Sequence, residues 1–117
     1  MTMCPLLALL AALSLCAQAQ DIDPRFAGPP ARDADGNISR STRQRALFVR
    51  MHPCPANGNV TGACPGWAVD HPIPLACGGI DAPVNMQWLP VEIKSCAGQF
   101  CKDRWERRVY RTTTIPC

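Results

Sequence analysis

The stretch Trp67-Ala68-Val69-Asp70-His71-Pro72-Ile73-Pro74-Leu75, followed by Gly78-Gly79-Ile80-Asp81 and Asn85-Met86-Gln87-Trp88, decides how this chain is read. Trp67, Val69, Ile73 and Leu75 are the apolar anchors of a first strand over residues 66–75. Pro72 and Pro74 have no N–H to give a ladder, which confines that strand to an edge or a bulge. Asp70 and His71 are neighbours on it, so regular pleating would turn their side chains to opposite faces. A connecting loop over residues 76–84 holds Gly78, Gly79, Asp81 and Pro83, and a second strand covers residues 85–89. Trp88 is read as a core residue. After Pro90 a short helix begins at Val91, and the main helix runs from Phe100 or Lys102 to Tyr110. Within it Trp105 and Val109 are expected to face the core, with the arginines on other faces.

Upstream, residues 38–51 read as a helix of about three turns, capped by Ser39 or Ser41. It carries Arg40, Arg43, Arg45 and Arg50 around Ala46, Leu47 and Val49. The segment from His52 to Gly66 is a loop rich in turn formers, and Cys54 and Cys64 flank it. A bridge between them would stabilise the fold by about 2–4 kcal/mol, largely by restricting the unfolded chain.

The 117 residues allow one small domain. An apolar run, Met3 to Ala17, precedes Ala17-Gln18-Ala19, a small-x-small cleavage pattern. The run is too short to anchor the chain stably in a bilayer and reads as a signal peptide over residues 1–19. Residues 20–37 read as a flexible, Pro- and Gly-rich leader, and residues 38–117 as the functional domain. Six cysteines follow the cleavage pattern: Cys54, Cys64, Cys77, Cys96, Cys101 and Cys117. An even number in a small exported chain predicts a disulfide framework, and the absence of any Cys-x-x-Cys pair argues against a cysteine-bound zinc. The expected location is therefore the periplasm or the exterior. Residues 21–35 hold four Asp and two Arg, and residues 36–117 hold ten bases and five acids, a net of +5. A basic domain behind an acidic leader suits a polyanionic partner.

The order Asp-His, Gly-Gly, Asn and then Lys102-Asp103-Arg104-Trp105-Glu106 resembles the HNH endonuclease family over roughly residues 40 to 110. That resemblance implies an α+β fold, a small disulfide-stabilised domain built around a ββα-metal motif with the Arg-rich helix upstream. It implies a metal-dependent endonuclease that hydrolyses phosphodiester bonds of DNA, with RNA as an open second substrate. His71 would be the general base, because a neutral imidazole can take a proton from water near physiological pH. Asp70 would be the first metal ligand and Asn85 an orienting residue whose amide both donates and accepts.

The helix-borne ligand is assigned to Asp103, with Glu92 and Glu106 as alternatives. Asp103 follows Asn85 by 18 positions, longer than the family's gap, and the excess coincides with the segment bracketed by Cys96 and Cys101. The resemblance thus implies a disulfide-clasped insertion there, leaving Cys77 and Cys117 as the third pair. Arg43, Arg45, Arg50 and Lys102 are the expected phosphate contacts. Oxygen ligands favour Mg²⁺ or Mn²⁺ over Zn²⁺. The other readings are a non-catalytic nucleic-acid-binding module and a toxin-type nuclease with an immunity or inhibitor protein as partner.

Overall fold

The computed structural model describes residues 23–96 and 101–110. The expected signal peptide, the partner role of Cys117 and the start of the main helix at Phe100 lie outside the described residues.

The chain forms a small α+β fold. Helix α1, Thr42–Met51, starts at Ser41, whose Oγ accepts from the N–H of Gln44 at 3.2 Å and so satisfies one of the open first-turn donors. Arg50 stands in the last turn, where a cation opposes the helix dipole favourably. Strand β1, Trp67–Asp70, pairs antiparallel with β2, Gln87–Pro90, in the register Trp67↔Pro90, Ala68↔Leu89, Val69↔Trp88, Asp70↔Gln87. Two short helices complete the order: α2, Val91–Lys94, and α3, Lys102–Tyr110.

Both strands differ from the spans expected of them. β1 ends at Asp70, short of Leu75, because Pro72 and Pro74 cannot continue the ladder. β2 begins at Gln87, since residues Pro83–Asn85 form a 3₁₀ turn with proline at its start. Between the strands the chain turns twice, through Leu75–Cys77 and then Pro83–Asn85.

Phe48 and Val49 of α1 pack with Met86, and Val69 and Trp88 lie against them. The Phe48 and Trp88 rings meet at 5.6 Å between centroids, and the indole N–H of Trp88 donates to the carbonyl of His52 at 2.7 Å. That bond gives the polar edge of a packed Trp its partner, as burial of an indole requires. It also clamps the end of α1 onto β2. Ile73, Leu75 and Cys77, in the segment that follows β1, are buried as well.

Helix α3 does not dock as its sequence suggested. Trp105 is 37% exposed and Val109 50% exposed, so the apolar face expected to meet the core looks outward. The helix is held instead through Lys102, which is buried and donates to Asp70 and the His71 carbonyl, and through Asp103, which accepts from Lys94 and Ser95. Polar contacts outweigh the apolar period here.

Residues read as a loose leader are in part paired. Phe26 bridges Gly79, Ala27 donates to the Gly78 carbonyl at 2.8 Å, and Ile80 donates to the Arg25 carbonyl at 2.7 Å. This segment is thus tied to the Gly-Gly turn by backbone pairing. Cys54–Cys64 and Cys96–Cys101 are disulfides, with Cα atoms 5.6 and 5.5 Å apart. Cys77 is also disulfide-bonded, and its partner lies outside the described residues.

Candidate functional site

Asp70 closes β1 opposite Gln87, and the register alone brings the Gln87 amide to its carboxylate, Nε2 to Oδ2 at 2.9 Å. Asp70 is 1% exposed, a burial that a carboxylate tolerates only with charged partners. Lys94 of α2 and Lys102 of α3 supply them, each donating from Nζ to Oδ1, at 3.1 and 3.0 Å. Burial opposes ionisation of Asp70. Hydrogen bonds from Gln87 and Lys102, the Lys102 charge and the Lys94 hydrogen bond outweigh it, so its pKa lies below the usual carboxylate value.

Two more carboxylates join this centre from α3. Lys94 also donates to Asp103 Oδ1 at 3.1 Å, Ser95 Oγ donates to Asp103 Oδ2 at 3.0 Å, and Lys102 donates to Glu106. Asp70, Asp103 and Glu106 each offer an oxygen within 4.8 Å of the others. Their spacing on the helix explains why both serve, since residues three apart share a face. Glu92, the other alternative, is exposed on α2 and lies outside the cluster.

Lys102 was expected to clamp phosphate; in the structure its ammonium lies among partners from the protein itself. Its ammonium has three donors, and they go to Asp70, the His71 carbonyl at 3.0 Å and Glu106. Nothing remains to offer an incoming anion. Lys94 binds in the same manner to Asp70 and Asp103, and burial, which would lower its pKa, is overcome by those two carboxylates, which raise it.

His71 follows directly on the sequence but leaves the strand. Because β1 stops at Asp70, the alternation of faces stops with it, and both side chains line one cavity of about 610 Å³. Nε2 of His71 lies 3.0 Å from Asp81 Oδ1. A carboxylate only accepts, so the proton sits on Nε2 and the lone pair on Nδ1. Asp81 Oδ2 also accepts the N–H of Ser41, so one carboxylate joins the imidazole to the start of α1. Burial holds the His71 pKa below its usual value; the Asp81 hydrogen bond and charge pull it upward without prevailing, and Arg40 adds to the lowering.

Asn85 is fully buried, at 0% exposure. Its Oδ1 accepts from the Ile73 N–H at 3.0 Å, and its Nδ2 donates to the carbonyls of Ile73 and Ile80, each at 2.9 Å. The amide therefore ties the turn between the strands to the segment that leaves His71. Gly79 is what lets the two approach: a Cβ there would stand 2.0 Å from the Ile73 oxygen and 2.7 Å from Asn85 Nδ2.

The arginines of α1 separate from this centre. Arg43, Arg45 and Arg50 are exposed, and none of them lines the cavity. Arg45 and Arg50 instead border a shallow groove with Val60 and Thr61. With a rise of about 1.5 Å per residue, Arg50 stands more than ten ångströms along the helix from the Ser41 end that meets Asp81.

The sequence reading gave no site role to Asp81, Gln87 and Lys94, and counted Arg40 only among the arginines around α1. Gln87 was legible once the antiparallel register is set, because it pairs with Asp70. Lys94 carried no signal, being a cation where ligands were sought. Asp81 has no periodicity to mark it, and only its place two residues beyond Gly79 hints at the turn it serves.

The donor set could hold a metal ion. Three carboxylates converge, all offering oxygen, and the two ammonium groups drawn between them show a place already suited to positive charge. Comparison of the chain with protein-family models, with curated proteins and with solved structures finds no match.

Proposed function

We propose that the chain is a metal-dependent nuclease of the HNH kind that hydrolyses phosphodiester bonds in DNA. The observation that carries this reading is one cavity lined both by His71, whose ring Asp81 holds, and by the three carboxylates Asp70, Asp103 and Glu106. Neither half would suffice. The cluster could hold a metal without cleaving anything, and the pair could polarise water without a means to neutralise a phosphorane.

Each residue then has a task. Asp81 fixes the ring of His71 with the proton on Nε2, which leaves Nδ1 free to take a proton from water. The depressed pKa keeps that nitrogen unprotonated through neutral pH. Asp70, Asp103 and Glu106 would hold Mg²⁺ or Mn²⁺, and the ion would supply charge neutralisation at the scissile phosphate and the leaving oxygen. Asn85 keeps the turn and the His71 segment in one geometry. Arg43, Arg45 and Arg50, away from the centre, would meet more distant phosphates of a long polyanion. The disulfides support an oxidising compartment, and with it export to the periplasm or beyond.

The test is plasmid digestion by the oxidised chain with Mg²⁺ or Mn²⁺, with and without EDTA, beside His71→Ala. The expected result is nicking that EDTA abolishes and that His71→Ala slows by about two to four powers of ten. Full activity in His71→Ala would remove the general base and the reading with it. The second reading, a non-catalytic nucleic-acid-binding module, is favoured by the lysines that already neutralise the cluster. It predicts DNA binding with no cleavage under any of these metals.

A further inference from the structure

The cavity lining carries charges of both signs. It includes Asp70, Asp103 and Glu106, with Lys94 committed to the first two. Arg40 lines the same space as His71. Among the described residues Arg40 takes part in no hydrogen bond or ion pair. It is thus the one cation on the cavity wall, among those residues, whose donors are uncommitted.

Its position is not incidental. Arg40 precedes Ser41, whose N–H is bound by the same Asp81 carboxylate that holds Nε2 of His71. One side chain therefore ties the backbone beside Arg40 to the imidazole. A guanidinium presents a planar fork of N–H groups that matches two oxygens of a phosphate, which a carboxylate cluster alone would repel. A phosphoryl group entering here would meet Arg40, His71 and the cluster of carboxylates in one cavity.

We propose that Arg40 is the phosphate-anchoring residue of this site, gripping the non-bridging oxygens of the one phosphodiester presented to His71. That the phosphate belongs to a nucleic acid rests on the nuclease reading; that the cavity takes a phosphoryl group through Arg40 does not. Arg43, Arg45 and Arg50 are then auxiliary contacts, whose loss weakens DNA binding without changing what happens in the cavity.

The experiment uses inorganic phosphate as probe and the full oxidised chain, following the His71 ring and the Arg40 guanidinium by NMR. Saturable shifts are expected in the parent and in Arg104→Ala, a change at an exposed cation that does not line the cavity. Arg40→Ala should weaken phosphate binding by about tenfold or more, while Arg40→Lys, which keeps the charge and loses the fork, should fall between. Arg40 is exposed, so loss of folding is not expected, and unchanged spectra elsewhere in Arg40→Ala verify it. In parallel, Arg40→Ala should lower kcat/KM on plasmid by about ten- to a hundredfold. Phosphate shifts of the same size in parent and Arg40→Ala would overturn the assignment, as would no shift of His71 in the parent. A parent that binds phosphate through Arg40 but cuts no DNA would sink the nuclease reading and leave this anchor standing. A parent that cuts DNA, with Arg40→Ala cutting equally well, would do the reverse.

Discussion

Asp81 accepts the Nε2–H of His71 at 3.0 Å, and by doing so it selects which ring nitrogen can act as a base. In Asp81→Asn the amide can donate to Nε2, which would place the ring proton on Nδ1 and blunt the base. The expected loss is about ten- to a hundredfold in kcat, with KM little changed, as for other residues that orient a working group. Nitrogen NMR of the His71 ring reports the tautomer directly. An unchanged tautomer and an unchanged rate would reduce Asp81 to a tether for the start of α1.

Lys102 stands where a metal would compete. Removing it in Lys102→Ala leaves the buried Asp70 carboxylate short of a counter-charge, and breaking such a buried pair costs about 3–5 kcal/mol. A divalent ion should replace the lost charge. The melting temperature of the variant is therefore expected to rise more with Mn²⁺ than that of the parent does. Equal increments in the two proteins would mean that the cluster holds no divalent cation.

Glu106 and Asp103 should now behave alike. Glu106→Gln and Asp103→Asn are each expected to weaken Mn²⁺ binding by about tenfold, near 1.4 kcal/mol, while Glu92→Gln leaves it unchanged. Calorimetric titration separates the three. If Glu106→Gln binds like the parent, Asp70 and Asp103 form the whole ligand set.

The pH profile of stability follows from three displaced groups. Asp70 has a lowered pKa, so its stabilisation is present above its unfolded value of about 3.9 and is lost as pH falls through the folded value. Lys94 has a raised pKa, so its contribution is present below about 10.4 and is lost as pH climbs through the folded value. His71 is also lowered, burial being the main cause, so below about 6.5 the unfolded chain takes up the proton first and stability declines. Urea midpoints should be highest from about pH 7 to 10 and start to fall near 6.5, before any carboxylate titrates. In His71→Gln that first decline should vanish while the deeper acid loss remains. Its persistence in the variant would assign it to another group.

Much of the frame was legible because its signals are local. Gly78-Gly79, the prolines and the apolar residues around Asp70 mark strand, turn, strand and helix in their observed order. Cys54 and Cys64 flank a loop of turn formers and do close it. What the sequence concealed depends on contacts between distant residues. The 3.6-residue period of α3 pointed Trp105 and Val109 inward, but a cluster of charges outside that pattern sets how the helix lies. Hydrophobic patterning cannot announce a buried ammonium, so Lys102 read as a surface cation and Lys94 did not register at all. Phe26 likewise lies in a stretch without periodicity, and only its backbone bridge to Gly79 shows its use.

The separation of the parts along the chain bears on when this centre comes into being. Ser41 and Asp81 are 40 residues apart, and Asp70 and Lys102 are 32 apart. Contacts across such intervals cost loop-closure entropy before they return anything, so they trail local ones such as the turns of α1. During synthesis Asp70 leaves the ribosome well before either lysine that will neutralise it. Its carboxylate must stay hydrated until α2 and α3 arrive, and only then can it be enclosed. The centre is accordingly a late product of folding, and a refolding chain recovers its helical content before it recovers a place for a cation.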